Sequence, residues 1–141
     1  MAVIQRGKPT LIDTNAILAL LDRKDSNHEL VKTVFPAQLL VPSTVLPEVD
    51  YLATTRLGSH VAQRFLKSVL DGELALIQVE SSDLRRALEL QLQYSDVPLG
   101  LVDTSIVALA ERLQLRRVLT FDRRHFGLVK PFGIGHLELL P

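Results

Sequence analysis

The sequence predicts an α/β domain of three layers, with helices on both faces of a central, mostly parallel sheet of four to five strands. Three observations predict it. Short apolar runs alternate with longer helical patterns along the whole chain. Proline, glycine or an acid bounds nearly every run. The length, 141 residues, suits one core. A single domain over residues 1–141 is expected, because no repeat, low-complexity tract or linker interrupts the pattern.

The elements follow in order. Thr10-Leu11-Ile12-Asp13 reads as a short buried strand. Asn15 to Leu21 is strongly helical, with Asp13, Thr14 or Asn15 available as its cap. Ser26 to Phe35 suits a second helix, stopped by Pro36, and Ala37 to Val41 a second strand between two prolines. Ser43 or Thr44 is expected to cap a helix reaching Leu57, with Pro47 tolerated in its first turn. Gly58-Ser59 breaks that helix, and His60 to Leu70 forms the next. Leu74 to Val79 is a third strand, and Ser81 or Ser82 caps a helix through Tyr94. Asp96 to Gly100 is a loop, Asp103 to Leu115 a helix, Arg117 to Phe121 a fourth strand and Ile134 to Leu140 a fifth.

Composition narrows the function. There is no cysteine, which excludes disulfides and thiolate metal sites and fits a reducing compartment. Sixteen Lys and Arg balance 16 Asp and Glu, which argues against indiscriminate binding to polyanions. The start, Met1 to Pro9, lacks the apolar stretch of a secretory leader. The longest uncharged run, Thr33 to Pro47, carries three prolines and cannot be a membrane helix, so a cytoplasmic protein without membrane contact is expected.

Ligands of parallel α/β sheets bind beyond the carboxyl ends of the strands. Asp13 closes the first strand, Asp122 follows the fourth, and Asp103 opens a helix after Leu99-Gly100-Leu101-Val102. Glu48 falls beside Val45, Val49 and Leu52 and is expected to face the core. Acids in apolar settings need a cation, a proton or a metal. Each also has a plainer reading, as a helix cap, a solvated strand end or an arginine partner. Converging carboxylates repel one another unless a cation lies between them, and oxygen ligands suit Mg²⁺ or Mn²⁺. Such an ion supports hydrolysis of a phosphodiester. Thr14, Asn15, Ser105 and Thr120 lie close enough in sequence to orient a carboxylate or meet a phosphate.

Leu11-Ile12-Asp13-Thr14-Asn15, Pro47-Glu48-Val49, Val102-Asp103-Thr104-Ser105-Ile106 and Leu119-Thr120-Phe121-Asp122-Arg123-Arg124-His125-Phe126 stand in the order of the signatures of PIN domains. The chain resembles that family over nearly its whole length, and from Tyr94 to Phe126 it resembles VapC-type toxins in particular. The resemblance implies a PIN-like fold with a protruding helical hairpin and a Mg²⁺- or Mn²⁺-dependent endoribonuclease. It implies Asp13, Glu48, Asp103 and Asp122 as the catalytic and metal-holding acids, with Asp96 as an auxiliary acid. It further implies a homodimer, and inhibition by a VapB-like antitoxin whose C-terminal segment lies along the active-site groove. A stand-alone RNA-processing PIN nuclease and a degenerate interaction module are the alternatives. The latter predicts a lost acid, and none is lost.

Other strand-end-aspartate classes fit less well. A haloacid-dehalogenase-like phosphatase needs a second Asp where Asn15 stands. A receiver domain needs an acceptor Asp after the third strand, where Val79-Glu80-Ser81 has none. Gly133-Ile134-Gly135 is no phosphate loop.

Arg123 and Arg124 directly follow Asp122 and are the expected RNA contacts. Arg116 and Arg117 precede the same strand and are expected at the opposite edge, in surface pairs. Arg56, Arg64 and Lys67 form another basic patch or a solvated face, and His125 reads as an ordinary loop histidine. Five Phe, two Tyr and no Trp leave little for an extended stacking platform. If the arginine pair holds phosphate, Arg123→Ala/Arg124→Ala weakens RNA binding and lowers its salt dependence. An unchanged salt slope in a binding titration would place the RNA elsewhere.

Overall fold

Five parallel strands form the sheet in the order β3-β2-β1-β4-β5. The computed structural model describes residues 7–34 and 37–141. The elements are β1 (Gly7–Ile12), α1 (Thr14–Leu21), α2 (His28–Lys32), β2 (Ala37–Pro42), α3 (Val45–Leu57), α4 (Ser59–Leu70), β3 (Ala75–Ile77), α5 (Ser81–Gln93), α6 (Leu101–Leu113), β4 (Arg117–Leu119), α7 (Arg123–Leu128) and β5 (Glu138–Leu140). From β1 the chain winds first through β2 and β3, then returns to the other side as β4 and β5. The reversal leaves a crevice between β1 and β4 at their carboxyl ends.

Period-two alternation of apolar residues divides the core into two layers. Ile12, Leu39, Val41 and Leu119 point to one face and pack with Ile17, Val45, Val49 and Phe65. Their neighbours Leu11, Leu40 and Val118 point to the other and pack with Leu90, Ile106, Leu109 and Phe126. Each such side chain contributes roughly 1.5–3 kcal/mol by leaving water.

Several boundaries move for identifiable reasons. β1 begins at Gly7, because a register irregularity between Gly7 and Thr10 accommodates Pro9 in the ladder with β2. Thr44 is the N-cap of α3, as expected, but neither its side chain nor that of Ser43 bonds to the helix amides. The Ser43 hydroxyl accepts from Val79 N at 2.9 Å, and Thr44 is hydrogen-bonded to Ser105 at 2.7 Å. Helix α5 is capped from Glu80, whose N–H donates to Asp83 Oδ2 at 2.9 Å, not from Ser81 or Ser82. Helix α6 starts two residues early, at Leu101 after Gly100. Gly133 and Gly135 take positive φ and shorten β5. The short helix α7 was not expected. The expected end of the second helix at Phe35-Pro36 and the first six residues lie outside the described residues. Among the described residues no helix is long and apolar enough to cross a membrane.

Helices α5 and α6 are joined by two arginine–carboxylate pairs. Arg86 grips Glu111 through Nε at 2.8 Å and Nη2 at 3.0 Å. Arg112 grips Asp83 through Nε at 2.9 Å and Nη2 at 3.0 Å. Asp83 is only 3% exposed, so its charge depends on that guanidinium. Arg112→Met is therefore expected to cost about 2–3 kcal/mol in urea unfolding, because it strands a buried carboxylate. A loss under about 0.5 kcal/mol would make the pair an ordinary surface contact.

Candidate functional site

The crevice at the β1–β4 switch is a groove of about 500 Å³, and Asp13, Glu48, Asp103 and Asp122 all line it. Asp13 caps α1 where β1 ends, and its carboxylate is fixed from both sides. Oδ1 accepts from Thr14 N at 2.8 Å, and Oδ2 accepts from the Thr120 hydroxyl at 2.8 Å. The same hydroxyl accepts from Asp122 N at 3.0 Å. One threonine thus ties the ends of β1 and β4 together. Asn15 adds a second tie, its Oδ1 accepting from Phe121 N at 3.1 Å.

Asp122 caps α7, accepting from His125 N at 3.1 Å, while His125 Nδ1 lies 2.7 Å from its Oδ2. Asp103 stands in the first turn of α6, where the helix amides favour an anion. It does not serve as the cap, which Gly100 provides. Ligand atoms of Asp103, Asp122 and His125 all lie within 4.8 Å of one another. His125 is therefore a member of the site and not an ordinary loop residue. The signal available in the sequence is its spacing, three residues after a capping Asp.

Glu48 is exposed and does not face the core, contrary to expectation. The buried stripe of α3 is Val45, Val49 and Ala53, at i, i+4 and i+8. Glu48, Leu52 and Arg56 form the adjacent stripe, and all three line the groove. The helix thus offers the groove one acid and one base from its flank.

The other expected residues divide. Thr14 and Asn15 line the groove, and Thr120 orients Asp13. Ser105 is buried beneath it, donating to Val102 O at 2.9 Å and bonded to Thr44, so it braces α6 against α3 and does not line the groove. Asp96 is exposed in the turn after α5 and does not line the groove. Neither Arg123 nor Arg124 lines it, and Arg123 donates to the Pro141 carbonyl. Arg56 is the arginine in the groove. As expected, Arg116 and Arg117 are occupied at the far edge, by the His136 carbonyl at 2.8 Å and by Glu138 at 3.9 Å.

Burial raises the Asp13 carboxyl from 3.8 to about 6, against the pull of its bonds to Thr120 and Thr14, and the charges of Asp103 and Asp122 add to the rise. Asp103 is raised too, first by burial and then by Asp122, with the Gly100 backbone and His125 opposing. Among the described residues no lysine or arginine pairs with Asp13, Glu48, Asp103 or Asp122, and His125 is the only basic partner. The donors fit a divalent cation: hard carboxylate oxygens, mutual repulsion, one imidazole and no compensating cation.

Comparison with known proteins shows the family and the fold. The family model described as PIN domain matches residues 10–130. The chain is 32% identical over 134 residues to Ribonuclease VapC26 of Mycobacterium tuberculosis, covering 93% of this chain and 99% of that one. Its fold is similar to the crystal structure of VapC20 of the same organism, described as a sarcin-ricin loop cleaving toxin. That match has a TM-score of 0.75 and 19% identity, over 82% of this chain and 91% of the other. It is also similar to VapBC2 from Rickettsia felis bound to a promoter DNA fragment. There the TM-score is 0.68 and the identity 16%, over 94% and 99% of the chains.

The raised Asp13 has a consequence for stability. The native state holds this proton more tightly than the unfolded chain, so stability falls as pH rises from about 4 to about 6, and the full penalty applies above. In metal-free protein at pH 7.5, Asp13→Asn removes the buried charge and is expected to stabilise by the order of 2 kcal/mol in urea unfolding. The gain should vanish near pH 4. A less stable variant at pH 7.5 would contradict the strained carboxylate.

Proposed function

The chain belongs to the PIN-domain family and is of VapC type, and from that premise we propose that it is a metal-dependent endoribonuclease, the toxin of a VapBC-type toxin–antitoxin pair. One observation carries the reading: four acids reach one groove at the topological switch, and among the described residues none of them is paired with a lysine or arginine. Asp13, Glu48, Asp103 and Asp122 would hold Mg²⁺ or Mn²⁺. When bound, the ion lowers the pKa of a water and polarises a phosphoryl oxygen, which are the requirements of phosphodiester hydrolysis.

The chain's own residues supply positioning. Thr120 and the Thr14 amide lock Asp13, so its carboxylate does not swing when substrate arrives. His125 holds Asp122 in the same way. Asn15 keeps the β4 exit against α1 and preserves the spacing between the two aspartates. Arg56, on the flank of α3, is placed to meet a phosphate entering the groove. Arg124, exposed beside Asp122, is available to a phosphate beyond it, whereas Arg123 must first leave the Pro141 carbonyl. In this reading Asp96, outside the groove, acts on substrate that extends past it.

The family reading also brings a VapB-like antitoxin, a homodimer and a cytoplasmic, single-domain protein. Leu84, Leu88 and Leu92, exposed at i, i+4 and i+8 on α5, and Tyr51, Leu66 and Leu70 on the α3–α4 hairpin are apolar surface that association would cover.

Asp13→Asn is expected to leave the circular dichroism spectrum unchanged and to reduce Mn²⁺-dependent RNA cleavage below roughly 1% of wild type, as removal of a central ligand should. EDTA should abolish wild-type cleavage, and Mn²⁺ restore it. Equal rates for wild type and variant, with EDTA without effect, would sink the mechanism.

A further inference from the structure

We propose that the cavity at the C-terminal end of α1 is a phosphate-binding subsite for the RNA strand cut in the acidic groove, an inference that rests on the ribonuclease reading. The cavity measures about 470 Å³. Leu20 and Leu21 of α1, Arg23 of the following turn, His28 and Lys32 of α2 and Arg64 of α4 line it. Four of the six are basic, and none is acidic. Among the described residues Arg23 and Arg64 make no ion pair. Lys32 has only a 3.7 Å contact with Glu29, in which both side chains are more than half exposed.

In a chain of zero net charge, Arg23, Lys32 and Arg64 gather positive charge around a concave surface whose lining holds no acid. An anion relieves the mutual repulsion. The imidazole of His28 is held for a defined role. Its Nδ1 lies 2.8 Å from the Ala19 carbonyl, which can only accept, so Nδ1 carries hydrogen. In the neutral ring Nε2 is then an acceptor, suited to a ribose 2′-hydroxyl.

Position links the cavity to the groove. Thr14, Asn15 and Leu18 of α1 line the acidic groove, and Leu20 and Leu21 at its other end line the basic cavity. Eight residues of helix, about 12 Å at 1.5 Å per residue, separate the ends. The hairpin borders both, with Arg56 of α3 in the groove and Arg64 of α4 in the cavity. A strand leaving the acids past Arg56 and running along α1 reaches the cavity within a few nucleotides. RNA is favoured over an acidic protein segment because the lining offers cations and two leucines, enough for a charged backbone but little for a row of apolar side chains.

The test is RNA binding in the Asp13→Asn background, which removes cleavage from the measurement. Arg23→Gln/Lys32→Gln/Arg64→Gln, all at exposed positions, should weaken binding of a single-stranded RNA about tenfold or more at 0.1 M salt and lower the salt slope by about two. Arg64→Gln alone should lower the slope by about 0.7, which reads the site even if the triple variant folds poorly. The control Arg85→Gln/Lys130→Gln, away from both cavities, should leave affinity and slope unchanged. An unchanged slope in the triple variant, or an equal loss in the control, overturns the subsite. So does a loss confined to binding of a polyglutamate peptide, which would assign the cavity to an acidic protein segment. Failure of the ribonuclease reading is seen separately, as absence of Mn²⁺-dependent cleavage by the wild type.

Discussion

A carboxylate buried between two strand ends organises this molecule. Asp13 is 5% exposed, accepts from Thr14 N and Thr120 Oγ1, and through Thr120 is tied to the backbone of Asp122. Those bonds close the crevice at which the sheet reverses its winding. They also hold a negative charge where burial disfavours it, which is why its pKa rises to about 6. Removing Thr120 would leave Asp13 short of a donor and β4 untied at the same point. Fold and site are therefore coupled through one hydroxyl.

The rest of the scaffold serves that junction. Alternating strand residues fill a layer on each face, so α1 and the hairpin are fixed on one side and α5, α6 and α7 on the other. The acids come from both sides and meet in the middle. Asp103 rides on α6, Asp122 caps α7, and Glu48 projects from the flank of α3. The Arg86–Glu111 and Arg112–Asp83 pairs hold α5 on α6 and so steady the helix that carries Asp103. Cationic character is kept off the acids themselves and placed nearby, at Arg56 and around the cavity at the end of α1.

Much of this was legible in the sequence, for physical reasons. Apolar runs bounded by proline, glycine or a charged residue located all five strands, and the acids at the ends of β1 and β4 were conspicuous because a charge beside a buried run is costly without a partner. Residues whose placement depends on tertiary geometry were less legible. Glu48 sits about 60° from Val45, the near edge of the buried stripe, and periodicity in one sequence does not separate core from flank at that resolution. His125 escaped because α7 is six residues long, contains Gly127 and has no periodic face; only its cap marks it. Arg123 adjoins Asp122 in sequence, yet the start of a helix turns it toward the C-terminus. Ser105 braces two helices by a contact with Thr44, 61 residues away, which no local pattern encodes.

A divalent cation among these carboxylates would relieve both the cost of their burial and their mutual repulsion. Calorimetric titration of Mn²⁺ at pH 6, in two buffers of different ionisation enthalpy, tests it most directly. A group about half protonated at that pH must lose its proton to become a ligand, so Asp13 should release about half a proton on binding, and Asp13→Asn should lower the release to what the likewise raised Asp103 contributes. Saturable binding without proton release, or no binding at all, would contradict the account.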